Sequence, residues 1–346
     1  MSRPAQQVAP LSTWQQIGKA LWISAAGLII LLIVLFLSVS LGSTNLSLST
    51  IWASIFHNDG SRAHIILQNV RIPRMIVTAF VGANLAVAGA LMQAVTRNVL
   101  ASPGIFGINA GAAAAVVFFT VQVPFLSSGN MVYAAFVGGA SAAVVVYAMA
   151  SVFKGNHMEV HLALTGVAVQ AILSALTQGM IIFNETQMDR VLFWLAGSVS
   201  SRKWEHAELI MLWSVPALLA AFSFGRAASV LSLGEELARA LGQRIMITRS
   251  LMAIIVIVLA GVSVSIAGPI GFVGLIVPHI VRYLIGVDYR LVLPLSALFG
   301  SIMLVLADLA SRYIVFPYET PVGVVTALIG TPFFIYLARR RKKEGK

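Results

Sequence analysis

The sequence predicts an all-α membrane protein, a polytopic bundle of about ten transmembrane helices. Three observations carry that prediction. Of 346 residues, 59% are hydrophobic and only 10% are charged, where a soluble domain carries roughly 25% charged residues. The apolar residues fall in runs of about 20, the length that crosses a bilayer as a helix, with short polar segments between them. The lysines and arginines are divided unevenly among those segments, which orients the chain.

Residues 1–19 form a polar N-terminal segment with Arg3 and Lys19. The first span, 20–41, is too long for a signal-peptide core and lacks a small-residue cleavage site, so it reads as an uncleaved anchor. An external segment with Asn45, Trp52, His57, Asp59, Arg62 and His64 follows. Arg71-Ile72-Pro73-Arg74 opens span two, to about 95, with proline in the first turn, where its missing N–H costs little. Arg97 and Asn98 mark the return inside. Span three covers about 103–121, where Gly107 and Gly111 allow close helix approach. Span four covers about 131–153 and span five 161–183. A second external segment carries Asn184, Glu185, Asp189, Arg190 and Trp194, and span six, 208–224, leads back to Arg226.

Between spans six and seven (247–267), residues 232–242 are too short and too polar to cross. Read as a helix, this segment puts Leu237 and Leu241 on one side and Glu235 and Arg239, able to pair, on another. Gly234 and Gly242 bracket it as breakers. The leucines are expected to pack back on the spans and the charged pair to face water. Such a helix is either a handle for a soluble partner or a solvated loop.

Residues 268–282, with Pro269 and Pro278 among glycines, predict a short or broken span eight, which is tolerated where protein covers the irregular backbone. Span nine follows at about 291–313, span ten at 322–337, and a basic tail at 339–346. Ten spans place both termini in the cytoplasm. Cations at 62, 71, 74, 190, 202, 203 and 312 then lie outside, leaving 16 of 23 inside, as the positive-inside rule requires. Gly89, Asn98 and Pro103 after span two loosely parallel the glycine-proline run after span seven, and the two spans run in opposite directions, as in an inverted repeat.

Several chemistries are excluded or weakened. No Gly-x4-Gly-Lys-Ser/Thr pattern occurs, so ATP-driven work requires another subunit. No Gly-x-Ser-x-Gly elbow and no cysteine occur. His157 and His161 are one turn apart, but Glu159 falls opposite them, so neither a metal site nor a cofactor is expected. The net charge of +11 sits at membrane boundaries, which argues against nucleic acid. Asp308 is the clear intramembrane acid, and Arg312 four residues on makes a structural pair, which gives an ion-coupled transporter thin support. His279 reads as a packing residue. Arg71 and Arg74 share an external face and Arg312 lies on the same side; they are either snorkelling anchors or a basic patch that captures an acidic protein.

The run Gly271-Phe-Val-Gly-Leu-Ile-Val-Pro-His279-Ile-Val-Arg282 resembles the FecCD-type permeases. So do Arg71-Ile-Pro-Arg74, Gly89-Ala-Leu-Met-Gln93, Trp194-Leu-Ala-Gly197-Ser198, Ala307-Asp308 with Arg312, Pro321-Val-Gly323 and Gly330-Thr-Pro332. The likeness extends over about 20–338. These permeases are membrane subunits of ABC importers for iron-siderophores, haem and cobalamin. The resemblance implies a permease in the bacterial cytoplasmic membrane, paired with a second, identical or similar chain. It further implies two ATP-binding subunits below and an extracytoplasmic substrate-binding protein above. An iron(III)-siderophore is the expected cargo, with cobalamin or haem the alternative. By position, Arg71, Arg74 and Arg312 would receive the binding protein. Gly234, Glu235, Glu236, Leu237, Arg239 and Gly242 would form the coupling helix for the ATPase. Asn98 and Leu100 match the inner gate; the family's Asn-Pro-Leu-Ala loop here has Val99 in place of proline.

Overall fold

The structure is a computed structural model that describes residues 13–42, 61–123, 128–152, 158–184 and 189–344. Arg3, Asn45, Trp52, His57, Asp59, His157 and Glu185 lie outside the described residues, and with them most of the first external segment and half of the two-histidine spacing.

Among the described residues the regular elements are helices. In order the helices are α1 (Thr13–Ser40), α2 (Ile72–Thr96), α3 (Ile108–Gln122), α4 (Ser128–Val152), α5 (Met158–Ile182), α6 (Asp189–Leu195) and α7 (Trp204–Ser223). Then come α8 (Gly225–Ser232), α9 (Glu235–Ala240), α10 (Ile245–Ala267), α11 (Val273–Ile285), α12 (Tyr289–Ser311) and α13 (Val322–Glu344). Seven helical stretches are long and apolar enough to cross a membrane, and three shorter apolar helices, Ile108–Gln122, Val273–Ile285 and Val322–Leu337, bring the number to the ten expected. Two boundaries differ from the sequence reading. Helical turns at Arg62–Ile66 and Leu67–Arg71 precede α2, so Arg62 and His64 are helical. Span three begins late because Pro103–Phe106 forms a 3₁₀ turn that ends at Gly107, whose φ of 72° is left-handed.

The core is built on α2, which packs along α10, α11 and α12. Its sequence explains this: six of the nine residues from Gly82 to Ala90 are glycine or alanine, and lipid supplies no hydrophobic drive between helices, so close packing must. A Cβ on Gly82 would collide with the carbonyl of Gly300 in α12, and one on Gly89 with the carbonyl of Gly274 in α11. One polar node crosses this interior. The Asn84 amide donates to Ser214 Oγ of α7 at 2.6 Å and to Ser263 Oγ of α10 at 3.2 Å.

The broken span eight is confirmed in form. After α10 the chain passes through Gly268 at φ 73° and Phe272 at φ 68° before α11 begins. At the break, Ala267 O accepts from the Ser198 N–H at 2.7 Å, and the neighbouring Gly197 O accepts from the Gly323 N–H at 2.9 Å, so motifs far apart in sequence meet here. This crossing accounts for three separate glycine-containing motifs, since protein covers the irregular backbone.

Candidate functional site

α2 and α12 run antiparallel, and charged side chains gather at both ends of the pair. One end carries α8 and α9. α8 was not anticipated: the connection between the sixth and seventh spans contains two short helices, not one. Glycines at φ 124° (Gly234) and 76° (Gly242) bracket α9, and space for a side chain exists at both, so the backbone conformation alone requires glycine there.

The two sides of α9 are the reverse of the sequence expectation. Glu235 turns inward, where its carboxylate meets Arg249 of α10 at 2.7 Å, Arg97 at the end of α2 at 3.7 Å, and Arg239 at 3.7 Å. The expected Glu235–Arg239 pair is present, but it is the long, solvent-exposed arm of this hub, with the Arg239 side chain 70% exposed. Leu237 and Leu241, expected to pack on the spans, are 54% and 66% exposed, and Leu233 four residues earlier is 62% exposed. Only Ala238 is buried in this helix. The physical reason is charge: Arg97 and Arg249 lie under α9, and a carboxylate satisfies them where a leucine could not. Glu236 is exposed.

Arg97 also leads into the Asn98–Leu100 turn. It caps α2 in the left-handed region at φ 48°. Asn98 Oδ1 then accepts from the Leu100 N–H at 3.0 Å, and Asn98 O from the Ala101 N–H at 3.0 Å, a side-chain-closed turn. The candidate gate residues are thus one residue from a cation held by Glu235. Asn98 is exposed and Leu100 half-buried. A second tie joins α8 to α12, where Ser229 Oγ accepts from the Tyr289 N–H at 2.9 Å and donates to Asp288 at 3.3 Å. Burial acts to raise the Asp288 carboxyl, but hydrogen bonds from Arg290 and Ser229 prevail and hold it below its usual value.

At the opposite end Arg71, Arg74 and Arg312 converge, as their common side predicted, but not as an exposed patch. All three are buried. Arg74 Nε and Nη2 donate to Asp308 Oδ1 at 3.1 and 2.7 Å, and its Nη1 chelates Glu319 at 2.8 and 2.9 Å. Arg312 pairs with the other oxygen of Asp308, so the structural pair expected there exists and has a second cation. Arg312 Nη1 and Arg71 Nη1 cap the last carbonyls of α1, at Ser38, Leu41, Val39 and Ser40, between 2.7 and 2.9 Å. Among the described residues three arginines and two acids make up this cluster. It lines an open cavity of about 110 Å³ with Tyr313 and Phe316.

The sequence reading missed Arg249, Arg97 as a Glu235 ligand, and Glu319. It also missed the contact of Arg282 with Gln93 Oε1, whose amide donates to Gly274 O at 3.2 Å and so fastens α11 to α2. Each partner is a charged or amide residue at the same predicted membrane boundary as the one it meets. Among the described residues no group of three metal-ligating side chains is present.

Residues 30–340 match the FecCD transport family. The chain is 49% identical over 313 residues to the Fe(3+)-citrate import system permease protein YfmD of Bacillus subtilis, covering 90% of this chain and 93% of that one. It is 37% identical to the ferric enterobactin transport system permease protein FepD of Escherichia coli, covering 93% and 97%. It is 39% identical to the cobalamin import system permease protein BtuC of Halobacterium salinarum, covering 81% and 75%. A solved structure described as a metal-chelate type ABC transporter in an inward-facing conformation superposes with a TM-score of 0.81 at 27% identity, over 91% of this chain and 98% of that one. With ten apolar helices in the observed arrangement and a family match over nearly its whole length, the chain belongs to the FecCD transport family.

Proposed function

We propose that this chain is the membrane-spanning permease subunit of an ATP-driven importer that carries an iron(III) chelate of the siderophore type across the bacterial cytoplasmic membrane. The observation that carries this reading is α9. It exposes Leu237, and its flanks expose Leu233 and Leu241, on a chain that has no phosphate-binding loop, and apolar surface beyond the membrane calls for a protein partner. Two ATP-binding subunits, one beneath each permease of a pair, supply that partner. The cations around α9 and in the tail support a cytoplasmic side for this end. The substrate-binding protein then docks at the opposite end, where Arg71, Arg74 and Arg312 converge and complementary charge can orient it. Relatives named for Fe(3+)-citrate and ferric enterobactin favour iron over cobalamin, although a cobalamin permease is also similar.

The geometry gives a mechanism. Closure of the ATPase pair around ATP moves α9. Glu235 passes that movement to α10 through Arg249 and to the end of α2 through Arg97, next to the Asn98–Leu100 turn. The far ends of α2, α12 and α1 are welded by the Arg74–Asp308–Arg312 cluster. Movement is therefore largest at the gate turn and smallest at the outer surface, which lets rigid helices transmit a switch. No bond in the cargo is made or broken.

Proteoliposomes containing the permease, its ATPase and the binding protein test this. Uptake of radioiron as a ferric chelate is expected only with ATP and binding protein present, and unchanged when the proton gradient is collapsed. Uptake driven by an ion gradient without the ATPase would overturn it.

A further inference from the structure

One cavity belongs to none of these parts. It has a volume of about 700 Å³, within the range of about 300–1,000 Å³ usual for small-molecule sites. It lies at the Arg74 end, because Trp204, between the lining residues Lys203 and Glu205, donates its indole N–H to Gln68 O, just before α2, at 2.8 Å. Val191 and Trp194 of α6 give it an apolar wall. Arg202, Lys203, Glu205 and His206, at the entry to α7, give it a polar one.

The polar wall is short of negative charge. Arg202 has one weak protein contact, Nη2 to Ser198 O at 3.4 Å, and its Nε has no partner. Burial lowers the guanidinium to about 10, with no counter-charge to offset it, so it stays a cation at neutral pH. Withdrawing a cation from water without an anion is costly. Among the described residues Glu205 is the one acid lining the cavity, beside the cations Arg202 and Lys203. His206 Nδ1 accepts from the Lys203 N–H at 3.4 Å, which places the neutral ring's proton on Nε2 and makes it a further donor. An arginine fork with lysine and imidazole donors beside it matches carboxylate groups, and the arginine can bind one through two parallel bonds.

We propose that this cavity is an outer-face binding site for an anionic, carboxylate-bearing metal chelate of the ferric citrate class, with Arg202 and Lys203 as its charge-recognising residues. The assignment of a metal chelate, as opposed to any carboxylate, rests on the import reading above. The site lies beneath the face where a binding protein would release its cargo, and it selects by charge.

Equilibrium binding of radioiron-labelled ferric citrate to the purified permease–ATPase assembly in nanodiscs, without the binding protein, tests the proposal. The intact assembly is expected to retain ferric citrate. Arg202→Ala with Lys203→Ala should weaken that binding about tenfold or more, the loss expected for charge-assisted hydrogen bonds. Arg202→Lys should fall between the two, since it keeps the charge and loses the fork. An uncharged ferric hydroxamate should bind weakly and equally to all three. Melting temperatures confirm that the variants are folded, and Arg202→Lys carries the test if the double variant is not. Absence of binding to the intact assembly, or equal affinity in the variants, would overturn the site. Metal-free citrate binding as tightly as the chelate would overturn the chelate assignment. Failure of the import reading shows elsewhere, as absence of ATP-driven iron uptake by the unmodified protein. Failure of this site leaves that uptake intact.

Discussion

Asp308→Ala is expected to remove most of the folded protein from the membrane. Asp308 is fully buried, and each of its oxygens holds a different arginine, Arg74 and Arg312. Truncation leaves two buried guanidinium groups around an empty position. Breaking one such pair costs about 3–5 kcal/mol, a large part of the roughly 5–15 kcal/mol that keeps a domain folded. Glu319, partly exposed, still holds Arg74 from the other side, but Arg312 is left with the α1 carbonyls and Ser38 alone. Asp308→Asn keeps an acceptor and loses the charge, so it should fall between the two. Inserted yield and melting temperature in detergent read the effect directly. An Asp308→Ala protein as stable as the parent would mean that the cluster is not the weld described here.

Leu237→Asp should have the opposite pattern, with no loss of stability and complete loss of transport. The side chain is 54% exposed, so the isolated permease should change by no more than about 0.5 kcal/mol. In a complex, the carboxylate would be buried against an apolar ATPase surface. Loss of a central apolar anchor costs about 2 kcal/mol or more, roughly 30-fold in affinity. Copurification of the ATPase should fall by about that factor while permease yield and melting temperature hold. Unchanged copurification would remove the leucine face from the contact.

Much of the fold is legible in the sequence because lipid imposes few solutions. Apolar runs of spanning length, each bounded by a cation or a breaker, gave ten spans whose centres the helices reproduce. The glycines and prolines at 268–278 announced a broken span, since nothing else explains them inside an apolar stretch. The site was less legible, and for a specific reason. The amphipathic rule assumes that apolar faces turn inward. At α9 the interior under the helix holds Arg97 and Arg249, and the outward face is kept apolar, so the rule returned the sides reversed. Glu235 and Arg249 are fourteen residues apart, and Arg74 and Asp308 are 234 apart; helical spacing reveals neither. The outer arginines showed a similar limit. Their common side could be read from topology, but their burial depended on Asp308 and Glu319 meeting them. Span nine ends where span two begins, and that coincidence was the available signal.

The central claim is that the leucine face of α9 lies in the cytoplasm and is covered by the ATPase. The chain contains no cysteine, so Leu237→Cys introduces a single thiol with no background. Labelling it with a membrane-impermeant maleimide tests orientation and contact together. The account predicts reaction in inside-out vesicles stripped of ATPase, no reaction in right-side-out vesicles, and protection when the ATPase is restored. Labelling from the outside, or equal labelling with and without the ATPase, would contradict it.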